Sequence, residues 1–129
     1  MKTLLFVEPE AGIRGLLHAI FAGRYRVLEA EDGESALGLI CIERPDLVLF
    51  ELELPDISGF EMCQLVKCDQ QFRSTRLVAL TTAVDPASRL AAMQAGADGY
   101  ITKPFRPALL RGAVDDLLMD GGPSRALSG

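Results

Sequence analysis

One carboxylate near the middle of the chain has the sequence context of a functional-site residue. Glu51 directly follows four apolar residues, 47–50, and a loop containing Pro55 comes after it. An unbroken apolar run of this kind is typical of a parallel strand that is buried on both faces. Such a strand delivers its next residue to the carboxyl edge of the sheet, where open α/β folds place their sites. The pattern therefore predicts that Glu51 is a site residue.

Alternating strand and helix patterns would hold this residue in place. Short apolar runs predict strands over 4–7, 25–29, 46–50, 77–81 and 99–101, and apolar residues recur at helical spacing between them. Five such units predict an α/β fold, with a five-stranded doubly wound parallel sheet covered by helices on both faces. We assign residues 3–119 to this domain. The linker-like composition of 120–129 predicts a flexible C-terminal tail.

Helix boundaries have their own signals. Ser58 and Glu61 have the spacing of a capping box, which predicts the start of the third helix. Pro86 fits the first turn of the fourth helix and Gly96 fits its C-terminal cap, while Pro107 fits the start of the last helix.

Composition and charge exclude several classes of protein. The chain has 129 residues, of which 49% are hydrophobic and 24% are charged, as expected for one globular domain. A net charge of −5 argues against nucleic-acid binding by this domain alone, and no apolar run is long enough to span a membrane. Cys41, Cys63 and Cys68 are odd in number and lack Cys-x-x-Cys spacing, so we expect reduced thiols and a cytoplasmic location.

The order and spacing of several motifs resemble the receiver domain of bacterial response regulators. Segment 45–55, PDLVLFELELP, resembles the strand that carries the phosphoacceptor, except that the family's acceptor Asp is Glu51 here. Thr81 follows 30 residues later, and Lys103 follows Thr81 by 22 residues. Segment 95–105, AGADGYITKPF, is similar to the family's motif after strand four. The resemblance covers about residues 3–118 and implies the flavodoxin-like (βα)5 receiver fold.

The resemblance also implies a metal site that this sequence alters. In the family, an acidic pair after strand one and the acceptor Asp hold Mg²⁺. The equivalent pair is Glu8 and Pro9, and proline has no side-chain oxygen to bind a metal. Glu8, Glu10 and Glu51 remain as weak metal candidates. Because Mg²⁺ requires near-octahedral geometry, we expect its binding to be weak or absent, and we expect no other cofactor.

Three further residues match the family's switch and phosphate-binding positions: Thr81, Tyr100 and Lys103. We expect Lys103 to be the ionic partner of Glu51, Thr81 to be its hydrogen-bond donor and Tyr100 to report the state of the site. In one interpretation, Glu51 and Lys103 form a plain salt bridge, and the domain is a protein-interaction module that works without phosphorylation. In a second, Glu51 mimics the phosphorylated Asp and holds the domain in an active-like state.

Two other classes of function are less well supported by the residues. An enzyme-like receiver with residual Mg²⁺-dependent phosphotransfer would favour an Asp at 51 and an acid at 9, and both are absent. We therefore predict that the chain is not an enzyme. A flavin-binding protein on the same fold is disfavoured because the first loop, 8–12, is acidic and would repel a phosphate.

The expected partner is a histidine kinase or an effector protein that binds through face 87–118. In one subfamily the last helix carries charged residues that form cross-pairs in a dimer, and these positions are Leu109 and Ala113 here. We therefore expect a monomer or a weak dimer. Leu90, Ala91 and Ala92, together with these two residues, either form an apolar docking surface or pack on the domain's own core.

Overall fold

A computed structural model describes residues 1–120 of the chain. Its strands are β1 (Thr3–Val7), β2 (Arg26–Ala30), β3 (Leu47–Phe50), β4 (Arg76–Thr81) and β5 (Gly99–Thr102). Its helices are α1 (Ala11–Phe21), α2 (Gly33–Glu43), α3 (Gly59–Cys68), α4 (Pro86–Ala95) and α5 (Pro107–Asp120), and a 3₁₀ turn at Gln70–Phe72 follows α3.

All five strands pair in parallel in the order β2-β1-β3-β4-β5. This confirms the predicted doubly wound sheet and its receiver-type topology. β1 and β3 lie side by side near the centre, with Val7 opposite Phe50 at their carboxyl ends. The residues that follow these two strands, Glu8 and Glu51, are therefore neighbours at one edge of the sheet.

The sheet separates two apolar cores because successive residues of a strand point to opposite faces. On one face, Leu5 and Val7 of β1 pack in a cluster with residues of α2, α3 and α4. On the other face, Leu4 and Phe6 pack in a cluster with residues of α1 and α5. Five consecutive buried residues in β1 therefore reflect a strand covered on both sides, as its unbroken apolar sequence predicts.

The helix boundaries follow the predicted signals. The Ser58 hydroxyl accepts a hydrogen bond from Glu61 N at 3.1 Å and caps α3. Pro86 is the first residue of α4, and Gly96 ends that helix with a φ of 112°, a conformation that favours glycine. Leu110, Val114 and Leu117 form the buried face of α5.

Every strand differs from the sequence prediction by one residue at one end or at both, and β1 and β4 begin one residue earlier while β5 ends one residue later. β2 begins at Arg26, and Tyr25 makes an isolated bridge with Ala22 instead. β3 begins at Leu47, where the sequence suggested residue 46. Helix α5 extends to Asp120, and residues 121–129 of the predicted tail lie outside the described residues. Within residues 1–120, no helix combines the length and the apolar character needed to cross a membrane.

Candidate functional site

The ends of three strands bring three charged residues together. Glu8 follows β1, Glu51 follows β3 and Lys103 follows β5. The backbone at each position is fixed to the neighbouring strand: Glu8 N donates to Ala30 O at 3.0 Å, and Glu51 N donates to Val7 O at 3.0 Å. Lys103 N donates to Thr81 O at 2.8 Å. The backbone that carries each of these side chains is therefore anchored to the sheet.

Lys103 forms a buried ion pair with both carboxylates. Its Nζ lies 2.8 Å from Glu51 Oε1 and 2.6 Å from Glu8 Oε1. The side chains of Lys103 and Glu51 are each 9% exposed, and that of Glu8 is 5% exposed. Burial alone disfavours the charged amine, but hydrogen bonds and charge attraction from Glu51 and Glu8 outweigh it and raise the pKa of Lys103. The ammonium form is therefore stabilised in the folded protein.

The second oxygen of each carboxylate is also engaged. Glu51 Oε2 accepts from Leu52 N at 2.6 Å and from Glu53 N at 3.4 Å. Glu8 Oε2 accepts from Glu10 N at 3.1 Å. All four carboxylate oxygens thus have a donor within the chain. Each side chain is held from both ends, by Lys103 on one oxygen and by its own loop on the other.

This arrangement does not fit the magnesium site that the family resemblance implies. The carboxylate oxygens that would bind a metal already accept hydrogen bonds, and Pro9 contributes no side-chain oxygen. Among residues 1–120, no group of three or more His, Cys, Asp or Glu side chains has the arrangement of a metal site. Of the three weak metal candidates, Glu8 and Glu51 meet at Lys103, while Glu10 is exposed.

A cleft of about 250 Å³ opens over this ion pair. Its lining includes four carboxylates and one ammonium, and Pro9 and Thr82 complete it. The carboxylates belong to Glu8, Glu10, Glu51 and Glu53. Because negative groups outnumber the single positive one, the cleft has an anionic field that opposes the approach of a phosphate.

Arg14 fixes the loop between β1 and α1, a role that the sequence did not reveal. Its Nη1 donates to Glu8 O at 2.7 Å and to Pro9 O at 3.0 Å. The same guanidinium makes ion pairs with Glu29, at 3.4 Å, and with Glu31, at 3.3 Å. The first helix is therefore tied to the site loop and to the end of β2. An arginine one turn into the helix after the loop was the available signal, but its carbonyl partners leave no trace in a sequence.

The two predicted switch residues meet at Ala83 in the loop before α4. Thr81 Oγ1 accepts from Ala83 N at 3.2 Å, and the Tyr100 hydroxyl donates to Ala83 O at 2.7 Å. Tyr100 is 2% exposed, and the Arg89 guanidinium lies over its ring, 5.7 Å from the centroid. Thr81 is buried, and within residues 1–120 no hydrogen bond joins its side chain to that of Glu51, so the structure does not have the expected donation from Thr81 to Glu51. Tyr100 is thus in the inward position.

Gly59 allows α3 to begin directly against the site. A Cβ at this position would lie 2.5 Å from Glu51 O and 2.8 Å from Leu52 Cα, too close for any other residue. Gly59 N donates to Leu52 O at 2.8 Å, which closes the loop after Glu51. The start of α3 therefore packs directly against the backbone that carries Glu51.

The predicted partner face divides into exposed and buried parts. Leu90 of α4 is 59% exposed and Leu109 of α5 is 64% exposed. Ala91 is also exposed, whereas Ala92 is buried in the core on the α2, α3 and α4 face, and Ala113 is partly buried against the core on the α1 and α5 face. Of the two alternatives that the sequence left open, Ala92 and Ala113 follow packing on the domain's own core, whereas Leu90, Ala91 and Leu109 are exposed.

Comparisons with known proteins agree with this fold. The family profile of the response regulator receiver domain matches residues 4–115. PhoB, the phosphate regulon transcriptional regulatory protein of Pseudomonas aeruginosa, is 35% identical over 123 residues, which are 95% of this chain and 54% of PhoB. The chain spans about half the length of the curated relatives it matches.

Two solved structures are similar over most of their length. The BeF3-activated receiver domain of DrrB superposes with a TM-score of 0.85 at 31% identity, covering 92% of this chain and 98% of that one. The chemotaxis response regulator CheY4 of Vibrio cholerae gives a TM-score of 0.85 at 28% identity, covering 91% and 98%. A family profile that covers nearly all of the described residues, together with this topology, shows that the chain belongs to the response regulator receiver domain family of two-component signalling.

Proposed function

We propose that this domain is a protein-interaction module of two-component phosphorelay signalling that works without phosphorylation at Glu51, as a pseudo-receiver. The observation that carries the proposal is the Lys103 ammonium, which lies between Glu51 and Glu8 at 2.8 and 2.6 Å. A phosphoacceptor must present a free oxygen to the incoming phosphorus atom. Here one oxygen of Glu51 faces Lys103 and the other accepts from Leu52 N at 2.6 Å.

Geometry and charge support the same conclusion. The extra methylene of Glu51 moves its carboxylate by roughly 1.5 Å relative to an aspartate. A misplacement on the order of 1 Å can cost about 100-fold in a reaction that depends on positioning. The acidic lining of the cleft also opposes an anionic phosphodonor, and Pro9 offers no oxygen to a metal that would offset this charge. The domain is therefore proposed to have no phosphotransfer activity and no need for a cofactor.

A second candidate is an active-like receiver in which Glu51 mimics the phosphorylated Asp. It is favoured by the inward Tyr100, whose hydroxyl donates to Ala83 O, and by the ion pair that joins Glu51 to Lys103. Thr81 makes its hydrogen bond with Ala83 N. In this candidate, the charge on Glu51 sets the conformation of the loop before α4 and, through it, the partner surface.

The proposed partner is a histidine kinase or an effector protein that docks on face 87–118. Leu90 and Leu109, both exposed, supply apolar area on this face. The net charge of −5 supports a protein partner over nucleic acid for this domain alone. Reduced cysteines and membership of a signalling family support a cytoplasmic location. Leu109 is uncharged and cannot form the charged cross-pairs of the related dimers, which supports a monomer or a weak dimer.

Incubation with acetyl phosphate and Mg²⁺, followed by intact-mass measurement, tests the proposal. We expect no gain of a phosphoryl group on the parent protein. A receiver domain with the usual acceptor aspartate, treated in the same way, is the positive control. A phosphoryl group that maps to Glu51 would contradict the proposal and favour the enzyme-like receiver with residual Mg²⁺-dependent phosphotransfer.

A further inference from the structure

The two carboxylates at the sheet edge share a positively charged group from the same chain. Glu8 and Glu51 place two carboxylates beside each other in a largely buried setting, and such a pair repels unless a positive group lies between them. The Nζ of Lys103 occupies that position, within hydrogen-bond distance of one oxygen from each carboxylate. We propose that the Lys103 ammonium is a resident cation, which takes the place of a bound divalent metal and makes the domain indifferent to Mg²⁺.

The distances fit an ammonium better than a metal. Mg²⁺ requires oxygen ligands at about 2.0–2.1 Å, and Ca²⁺ binds oxygens at about 2.3–2.6 Å. The two oxygens here lie 2.6 and 2.8 Å from Nζ, which are ordinary lengths for a charged N–H···O bond. For Mg²⁺ to bind, both carboxylates would have to close around a smaller ion. Their second oxygens resist this movement because Leu52 N and Glu10 N hold them.

The surroundings make Lys103 difficult to displace. Its side chain is 9% exposed, and its backbone N–H is fixed to Thr81 O at 2.8 Å. A metal at the same two oxygens would compete with the ammonium for them, and an ammonium without a partner is costly in a buried position. The covalent link to the chain also means that this cation is never lost by dilution or chelation. This inference rests on the proposed function, since a phosphorylated receiver would need the metal.

The test is to remove the ammonium and ask whether a divalent cation takes its place. Lys103→Met keeps most of the side-chain volume but leaves Glu8 and Glu51 without their shared partner. The melting midpoints of the parent and of this variant are measured in EDTA and in titrations with Mg²⁺, Ca²⁺ and Mn²⁺. We expect no shift for the parent. For Lys103→Met we expect a lower midpoint in EDTA and a recovery of roughly 5–10 °C when the cation is at about 100 times its dissociation constant.

Two further variants show whether the effect belongs to this site. Lys67→Met is the matched control, because Lys67 is also a partly buried lysine paired with a carboxylate, Asp98, at 3.4 Å. It should lose some stability without gaining a response to cations. The double variant Lys103→Met with Glu51→Gln keeps only one carboxylate and should lose most of the response seen in Lys103→Met.

A measurement on the parent alone keeps the proposal testable even if Lys103→Met does not fold. Electron paramagnetic resonance of added Mn²⁺ distinguishes free from bound metal, and the parent should leave Mn²⁺ free. Mn²⁺ binding by the parent, or a Lys103→Met variant that responds no more than Lys67→Met, would overturn the resident-cation proposal. Metal binding without uptake of a phosphoryl group would leave the proposed function intact, whereas phosphoryl uptake in EDTA would overturn the function and leave the cation proposal intact.

Discussion

Replacing Glu51 by Gln removes one charge from the buried ion pair while keeping the shape of the side chain. The amide oxygen of Gln can still accept a hydrogen bond from Lys103, and Glu8 remains at 2.6 Å as an ionic partner. The substitution therefore tests how much the negative charge of Glu51 contributes to stability and to the conformation of Tyr100, without opening a cavity.

The magnitude follows from the two distances at Lys103 Nζ. At an effective dielectric constant of about 20, the attraction across 2.8 Å between Lys103 and Glu51 is about 6 kcal/mol. Glu8 and Glu51 bind the same nitrogen, so their oxygens are at most about 5 Å apart and repel by at least about 3 kcal/mol. Removing the charge also relieves the desolvation of Glu51. We expect a net loss of about 1–3 kcal/mol, or roughly 3–10 °C in melting midpoint.

Thermal unfolding of Glu51→Gln beside the parent provides the assay, and Glu53→Gln provides the control. Glu53 lines the same cleft but is exposed, so its charge should change stability by less than about 0.5 kcal/mol. A crystal structure of Glu51→Gln should show whether Tyr100 moves outward, as the active-like candidate requires. Equal midpoints for Glu51→Gln and Glu53→Gln would refute the reasoning about the ion pair. An unchanged Tyr100 rotamer would refute the candidate in which Glu51 acts as a mimic.

Three other substitutions give separate tests. Burial raises the pKa of the Cys63 thiol to about 12. Above about pH 9 the thiol ionises in the unfolded chain but stays protonated in the folded protein. The free energy of unfolding therefore falls between about pH 9 and pH 12, by up to about 1.4 kcal/mol per pH unit. Urea unfolding of Cys63→Ala should therefore show a shallower alkaline decline than the parent. Tyr100→Phe removes the hydrogen bond to Ala83 O and should cost about 1 kcal/mol in thermal unfolding, and no change would show that this bond is not stabilising. In Mg²⁺ titrations, the single variant Glu51→Asp should bind little metal, and the double variant with Pro9→Asp should bind it more tightly. Equal Mg²⁺ affinities for the single and the double variant would show that Pro9 is not the limiting defect.

The parts of the fold that could be predicted are those with a physical signature in the sequence. β1 and β3 are covered on both faces, so their unbroken apolar runs identified them. Pro86 and Gly96 marked the ends of α4, because only certain residues tolerate those backbone positions. The pairing of Lys103 with Glu51 was implied by the resemblance to receiver domains, whereas the contact of Lys103 with Glu8 was not predicted.

What could not be predicted depends on the backbone and on the direction of side chains. The partners of Arg14 and Tyr100 include the carbonyls of Glu8, Pro9 and Ala83, and every residue has a carbonyl, so no residue type identifies them. The orientation of Ala92 towards the core depends on the rotation of α4, which alanine-rich sequence does not specify. The hydrogen bond of Thr81 to the next loop was likewise not encoded in its spacing from Glu51.

The guanidinium of Arg14 has a consequence for anyone who wishes to rewrite this site. It holds the β1–α1 loop by carbonyl oxygens, which remain when the side chains at 8 and 9 are exchanged. The hydrogen bonds that hold the loop thus do not depend on which side chains stand at positions 8 and 9. Protein engineers could install new ligands or a new charge pattern at positions 8 and 9 while the hydrogen bonds from Arg14 continue to hold the loop.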